Sequence, residues 1–247
     1  MIRSSLLVIL GIIVTAFMSG MVLIIFPLLQ HGPNSVHRIA NLWAKMLLFI
    51  CGVKADVTGR GNINGRGPHI FMANHQSDFD ILLALAYIPG QFRWIAKKEL
   101  FVYPLFGKAM RKADYIPIDR QNREKALESL DEAALQVKRG KSLMTFPEGT
   151  RSRDGKIRPF KKGLFYLALR SGVPIIPFSI VGSREIMPRR SLRISPRRVA
   201  IVIDKPIDVR KYSLDRRDDL IEDVRGIIVK NFYAYREENR AGERTDS

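Results

Sequence analysis

A stretch without any charged residue runs from Leu6 to Leu29, near the start of this 247-residue chain. As a helix it would extend ~36 Å at about 1.5 Å per residue, against a bilayer hydrocarbon core of ~30 Å. It is longer than the apolar core of a cleaved signal peptide, and no convincing cleavage site follows it. The stretch therefore predicts contact with a membrane, either as a span or as one arm of a helical hairpin in a single leaflet.

A second helix is predicted after the break at His31-Gly32-Pro33. Apolar residues recur at helical spacing from Val36 to Ile50, and Arg38 and Lys45 fall on the opposite side. Such a helix suits the membrane interface, and it also suits the surface of an ordinary protein core. We interpret residues 1–51 as N-terminal membrane-anchoring helices, with the core alternative left open.

The balance of charge is strongly basic, with 41 Lys and Arg against 24 Asp and Glu, a formal net charge of +17. This excess favours an anionic partner, which could be a phospholipid surface, a nucleic acid or an acidic carrier protein. Cys51 is the single cysteine, so an internal disulfide is excluded. Its apolar neighbours indicate a small buried residue rather than a nucleophile.

Strand-like and helical patterns alternate through the rest of the chain, which indicates an α/β fold with a mixed, largely parallel sheet flanked by helices. The predicted strands are Lys54–Thr58, His69–Ala73, Phe92–Ala96, Tyr115–Ile118, Ser142–Phe146, Ile175–Val181 and Val199–Ile203. The predicted helices are Ile81–Ala86, Pro104–Lys112, Asn122–Arg139, Gly163–Ser171 and Leu214–Tyr235. We assign this domain to residues 52–235 and predict a disordered polar tail over 236–247.

The segment Asn74-His75-Gln76-Ser77-Asp78-Phe79-Asp80 joins an apolar strand to a helix. Neutral imidazole accepts a proton near pH 7, and a carboxylate on its other nitrogen fixes the tautomer. Asp80 is the preferred partner for His75 because Asp78 is better placed to cap the helix. A histidine that caps a helix or satisfies a buried polar group is the alternative that this spacing alone leaves open.

Two kinds of catalytic site find no support in the sequence. No Gly-x-Ser-x-Gly elbow is present, so the chain offers no nucleophile of its own and a base would act on a substrate hydroxyl. The other histidines, His31, His37 and His69, show no metal-ligand spacing with His75, so no metal site is predicted.

Cations that follow several strands predict a site for a small anion. Arg151 comes after Gly149 and Thr150, and glycine permits close backbone approach while arginine can hold phosphate by two hydrogen bonds. Further cations that could converge there are Arg120, Lys97, Lys98 and Lys161. Glu148 could bond a substrate hydroxyl or form an ion pair with Arg151.

Four blocks in order resemble the 1-acylglycerol-3-phosphate acyltransferases, the lysophosphatidic acid branch of the glycerolipid acyltransferases. They are 74–80, Tyr115-Ile116-Pro117-Ile118-Asp119-Arg120, Phe146-Pro147-Glu148-Gly149-Thr150-Arg151-Ser152 and Val173-Pro174-Ile175-Ile176-Pro177. The resemblance covers roughly residues 52–208. It implies that His75 is a general base with Asp80 as its partner.

The resemblance also implies where the substrate binds. The residues expected at the glycerol-phosphate part are Arg120, Glu148, Gly149, Thr150 and Arg151, with Lys97, Lys98 and Lys161 as further candidates. Pro177 is expected to shape the acceptor pocket. The donor would be a thioester of coenzyme A or acyl carrier protein, with no other cofactor and no nucleic-acid partner. The chain would act at the inner membrane, facing the cytoplasm.

Two other functions remain open from the sequence. A sister acyltransferase would act on another lysolipid or on glycerol 3-phosphate. A protein of a different class would bind anionic lipid at the membrane without catalysis, and it would leave His75 and Asp80 without a role.

Overall fold

The computed structural model describes residues 2–28, 32–63 and 67–245. Leu29, at the end of the uncharged stretch, and His31, in the predicted break, lie outside the described residues. The chain begins with helix α1 (Ile2–Ile25), a 3-10 turn at Phe26–Leu28, and helix α2 (Pro33–Ile50). Gly32 precedes α2 and Pro33 is its first residue, a position where the missing proline N–H is not needed.

Seven strands form one sheet, and their bounds agree with the sequence prediction to within one residue. The strands are β1 (Lys54–Thr58), β2 (Ile70–Ala73), β3 (Phe92–Lys97), β4 (Ile116–Ile118), β5 (Ser142–Thr145), β6 (Ile175–Val181) and β7 (Arg198–Ile203). Their order is β1-β7-β6-β2-β5-β3-β4, and all neighbours are parallel except the pair β6 and β7. The predicted mixed, largely parallel α/β sheet is therefore confirmed.

Six further helices cover the sheet. They are α3 (Phe79–Tyr87), α4 (Phe106–Lys112), α5 (Arg123–Lys138), α6 (Lys162–Ser171), the single turn α7 (Ser183–Ile186) and α8 (Arg217–Thr245). Side chains of α2, α3 and α4 share one apolar core with the first face of the sheet, and α1 packs against that core. Side chains of α5, α6 and α8 form a second core on the other face.

The C-terminal helix departs from the prediction of a disordered tail over 236–247. Helix α8 continues to Thr245, and of the predicted tail only residues 246–247 lie outside the described part of the chain. Arg and Glu make up six of the twelve residues of this segment, and both favour a helix even without an apolar face.

The topology brings the predicted functional segments together. Strands β2, β3, β4 and β5 are parallel, so their carboxyl ends meet at the same edge of the sheet. The segments that follow β2, β4 and β5 carry His75, Arg120 and Glu148, and Lys97 is the last residue of β3. Ligands of open α/β sheets bind at this kind of edge.

Candidate active site

His75 and Asp80 are joined directly in the turn between β2 and α3. The His75 Nδ1 atom lies 2.8 Å from Asp80 Oδ2, which also accepts the backbone N–H groups of Gln76 at 2.6 Å and Ser77 at 2.8 Å. Asp80 is fully buried in the first turn of α3. Because the carboxylate engages Nδ1, Nε2 is the nitrogen left to accept a proton.

Aromatic packing holds the plane of the His75 ring. The ring stacks on Phe146 with centroids 4.1 Å apart and an angle of 6° between the planes. Trp94 lies against the other side of this assembly, 5.3 Å from the Phe146 ring. The His75 side chain is 13% exposed, so one edge of the imidazole reaches the solvent side of the site.

Asn74 fixes the start of the same turn. Its side chain donates to Ile180 O and accepts from Ile180 N, both at 2.8 Å, and it is fully buried. The amide thereby continues the β2–β6 pairing one step beyond the strand. The backbone that carries His75 is consequently tied to the centre of the sheet.

Asp78 behaves differently from the helix cap that we expected. It occupies the position before α3, but its side chain makes no capping bond and pairs with Arg151 instead. A full positive charge attracts the carboxylate more strongly than the partial charges at the helix start. Asp78 therefore lies at the anion site, while Asp80 holds the imidazole.

Glu148 bonds to the protein backbone, and Arg151, one of its two predicted partners, pairs with Asp78 instead. Its Oε1 accepts the backbone N–H of His75 at 2.6 Å, and its Oε2 accepts that of Arg158 at 2.8 Å. The side chain is buried, and burial raises the pKa of this carboxyl to about 7. Glu148 therefore connects the turn of His75 to the segment after β5, and it does not line the cavity.

Four of the residues predicted to bind the anion line one cavity. Arg120 donates to the carbonyl of Gly149, and both line the same cavity as His75, Thr150 and Arg151. Gly149 has a φ of +70°, in the left-handed region that glycine tolerates best. The sharp turn at this glycine places Thr150 and Arg151 beside the imidazole.

Of the three predicted lysines and Pro177, only Lys97 lines the cavity. Lys97 lines the cavity, with its Nζ 3.4 Å from Glu99 Oε1. Lys98 is paired with Asp119 at 2.5 Å, and the stem of Lys161 covers Gly149. Neither Lys98 nor Lys161 lines the cavity, and Pro177 lies within β6 opposite Met72.

Arg189 belongs to the site, although the sequence analysis did not select it. It lines the cavity and donates to the backbone carbonyl of Arg151 at 3.0 Å. It comes from the loop before β7, twelve residues after the end of the last of the four blocks. The run Pro188-Arg189-Arg190 is the signal that could have drawn attention to it.

The cavity has a volume of about 570 Å³ and two chemically different ends. One end is polar, with His75, Arg120, Arg151 and Arg189. The other end is apolar and lies between the N-terminal helices and α4, lined by Met18, Val22, Val36, Ile39, Trp43 and Tyr115. Such a cavity fits a molecule with an anionic head and a hydrocarbon chain.

Known proteins are similar to this chain in sequence and in fold. The family described as Acyltransferase matches residues 54–181. The chain is 32% identical over 228 residues to the 1-acyl-sn-glycerol-3-phosphate acyltransferase of Limnanthes douglasii, which covers 90% of this chain and 79% of that protein. It is 34% identical to the enzyme of the same name from Cocos nucifera, over 89% of this chain and 71% of that one.

A solved structure extends this likeness to the whole fold. The crystal structure of the 1-acyl-sn-glycerophosphate (LPA) acyltransferase PlsC from Thermotoga maritima superposes with a TM-score of 0.84 at 27% identity. The match covers 95% of both chains, so it includes the N-terminal helices as well as the sheet.

Proposed function

This chain belongs to the acyltransferase family, and from that membership we propose that it transfers a fatty acyl group from a thioester to the free hydroxyl of 1-acylglycerol 3-phosphate, giving phosphatidate. The observation that carries the proposal is the position of His75. Its Nδ1 is held by Asp80 at the boundary between a cationic and an apolar end of one cavity. The acceptor has a phosphate for the first end and a hydrocarbon chain for the second.

The reaction proceeds by direct transfer. His75 Nε2 takes the hydroxyl proton as the hydroxyl oxygen attacks the thioester carbonyl, and Asp80 stabilises the imidazolium that forms. The tetrahedral adduct collapses with cleavage of the carbon–sulfur bond, and the proton passes from His75 to the departing thiolate. No cofactor takes part, and the donor is a thioester of coenzyme A or acyl carrier protein.

Serines next to the site are engaged elsewhere, which supports transfer without an acyl-enzyme. Ser77 Oγ donates to Met187 O at 2.8 Å, and Ser152 Oγ donates to the Asp154 carboxylate at 3.1 Å. Cys51 is buried in the apolar core that α2, α3 and α4 form with one face of the sheet. An acyl group trapped on the protein during turnover would overturn this mechanism.

Phosphate is held by Arg151 and Arg120, with Arg189 beside them. The ion pair between Arg151 and Asp78 is half-exposed, so Asp78 can give way to a ligand that brings more negative charge. Glu148 acts as a positioning residue for His75 in this proposal. Lys97 contributes long-range attraction from the cavity wall.

The N-terminal helices support a site at a membrane. The segment Ile2–Leu28 has the length and composition of a membrane helix. Its 18-residue apolar stretch has a mean hydropathy of 2.7, and only 17% of that stretch is buried. Its outward face carries large apolar side chains, among them Leu6, Ile12, Phe17 and Ile24. An apolar face left uncovered to this extent fits a lipid environment.

Contacts at both ends of α1 favour a helix that lies in one leaflet rather than across the bilayer. Ser4 is hydrogen-bonded to Ile194, and the Phe26 ring lies 4.4 Å from Lys112 Nζ. These residues are ~33 Å apart along the helix at about 1.5 Å per residue. A spanning α1 would carry α4, with its exposed Lys108, into the hydrocarbon core, where a charge is expensive.

The orientation follows from charge. A hairpin in one leaflet keeps the whole α/β domain on one side of the membrane. The cytoplasmic leaflet has a negative surface potential that attracts cations, and the chain has a net charge of +17. We therefore assign the domain to the cytoplasmic face of the inner membrane.

The test is release of free thiol by the purified protein with a panel of acceptors. We expect turnover with 1-acylglycerol 3-phosphate above that with other lysolipids or glycerol 3-phosphate. His75→Ala should lower turnover by ~10²–10⁴-fold, the usual contribution of a general base, while vesicle binding stays unchanged. Thiol release at the wild-type rate by this variant would overturn the base assignment, and binding without any thiol release would favour the non-catalytic lipid binder.

A further inference from the structure

The segment between α7 and β7 is rich in arginine and has no role in the reaction beyond Arg189. We call residues 187–197 the arginine loop. Its arginines are Arg189, Arg190, Arg193 and Arg197, and it contains no acidic residue. Burial lowers the pKa of Arg189, and the positive charges of Arg153, Arg190 and Arg158 lower it further. Arg153 and Arg158 therefore lie close to the loop. Positive charge is thus concentrated beside the mouth of the cavity.

The arginine loop is held firmly along its length. Ser77 Oγ donates to Met187 O at 2.8 Å, at the beginning of the loop. In the middle, Ile194 is buried and its N–H donates to Ser4 Oγ at 3.1 Å. At the end, Lys54 N donates to Arg197 O at 3.1 Å. Residues 190–193 lie between the attachments at Met187 and Ile194, and we call this part of the loop the tip.

The tip presents an apolar side chain between two cations. Leu192 is 69% exposed, and Arg190 and Arg193 on either side of it are also exposed. Among the ion pairs of the described residues, none includes Arg190 or Arg193. An exposed leucine flanked by arginines without carboxylate partners suits the boundary between lipid headgroups and acyl chains.

The attachment to Ser4 sets the level of the tip relative to the membrane. Ser4 lies two residues before Leu6, where the uncharged stretch of α1 begins. A residue bonded to Ser4 is consequently close to the depth at which α1 leaves the headgroup layer. The phosphate groups of phospholipids occupy the same depth.

We propose that the tip of the arginine loop is a second membrane contact, in which Leu192 enters the lipid and Arg190 and Arg193 bind the phosphates of anionic phospholipids. The inference rests on the proposed membrane association of α1 and α2. Arg189 continues the same loop into the cavity, so this contact turns the cationic end of the cavity toward the membrane surface. A lipid acceptor would then enter with its phosphate foremost.

The first test compares binding of the full chain to vesicles of phosphatidylcholine with and without added phosphatidylglycerol. At about fivefold per arginine, R190Q/R193Q should weaken binding to the anionic vesicles by roughly twenty- to thirtyfold. Binding to neutral vesicles should not change, and added salt should remove the difference. The matched control is R139Q/R170Q, because Arg139, directly after α5, and Arg170, on α6, are exposed on the opposite face of the sheet. Equal anionic-vesicle binding by R190Q/R193Q and wild type would overturn the proposal.

The second test follows the leucine. A polarity-sensitive fluorophore attached to Leu192→Cys should shift its emission to the blue on anionic vesicles, and Cys51 is buried and does not compete for the label. An unchanged emission would show that the tip stays in water and would contradict the proposal. The proposal would also be contradicted if R190Q/R193Q raised only the KM for the soluble thioester. The tip would then bind the carrier of the donor and not the membrane.

Failure of the wider proposals would look different. If the wild-type chain binds no vesicle, the result contradicts both the proposed membrane association and the proposed second contact. If the wild-type chain binds vesicles as expected but releases no thiol with detergent-dispersed acceptors, the acyltransferase function is lost while the lipid contact stands.

Discussion

Glu148 shows how a charged residue inside a binding motif can serve the protein rather than the ligand. Its two oxygens accept N–H groups that belong to His75 and Arg158, and its neighbours Gly149 and Arg151 face the cavity. Adjacent residues of the motif therefore have different roles. Glu148 fixes the backbone of His75, and Gly149 and Arg151 form part of the anion site.

Kinetics should separate these two roles. In Glu148→Gln, the amide NH2 would meet one of the two backbone N–H groups, so the turn of His75 would shift. We expect kcat to fall by about 10²-fold, with little change in the KM for the acceptor. Arg151→Ala is the matched comparison, and it should raise that KM by roughly ten- to a hundredfold because a charge-assisted bond is lost. A raised acceptor KM in Glu148→Gln would mean that the carboxylate touches the substrate.

The pH dependence of stability should also report on Glu148. Burial raises the pKa of this carboxyl to about 7, so the folded protein retains the proton to a higher pH than the unfolded chain, whose value is near 4.5. The stability from this group is complete at low pH and is lost as the pH rises toward about 7. Thermal unfolding at several pH values should therefore show a steeper decline for the wild type than for Glu148→Gln.

The exposed Glu128 on α5 supplies the control for this pH series. Glu128→Gln should follow the wild-type decline across the same range. Identical slopes for wild type and Glu148→Gln would show that the pKa of this carboxyl is the same in the folded and the unfolded chain.

At the scale of elements, the turn after β1 depends on one glycine. Gly59 has a φ of +74°, and a Cβ there would lie 1.9 Å from the backbone oxygen of Ile203 at the end of β7. Gly59→Ala should lower the free energy of unfolding by at least ~2 kcal/mol, from backbone strain and displacement of β7. Gly61, with open space around it, is the matched control, and Gly61→Ala should be nearly neutral. Equal unfolding temperatures for the two variants would contradict this account.

The strands could be predicted from sequence because each is a short apolar run between polar residues, and the core selects such runs. The partner of His75 could be predicted because a turn of five residues leaves few choices. Contacts between distant segments could not be predicted in this way. The bonds from Glu148 to His75 and from Ser4 to Ile194 join residues that only the fold brings together. The single turn α7 was missed because four residues carry no periodicity.

At the scale of the whole molecule, α1 has two faces with two uses. Val22 is 4% exposed and lines the apolar end of the cavity, whereas Ile24 is 77% exposed on the lipid side. The helix is thus a wall of the site as well as an anchor. Removing it would open the cavity in addition to releasing the protein from the membrane.

A matched pair of substitutions should distinguish the two uses. Val22→Ser should lower turnover with long-chain acceptors, because it places a hydroxyl in the apolar wall that faces the acceptor chain, while vesicle binding is kept. Ile24→Ser should weaken vesicle binding by about tenfold, since roughly 1.5 kcal/mol of apolar transfer is lost, and turnover in detergent should stay the same. Thiol release with acceptors of several chain lengths and vesicle flotation would measure both. Parallel losses in the two variants would contradict this division.

The pairing of β1 with β7 has a consequence for synthesis. Strand β1 lies at the edge of the sheet, and its neighbour β7 begins at Arg198. On a ribosome that adds about 5–20 residues per second, β1 would wait on the order of ten seconds or more for its partner. An unpaired edge strand invites aggregation during such a delay. Because α1 and α2 emerge first, the bilayer can hold the nascent chain at its surface and keep this strand away from other chains until the sheet closes.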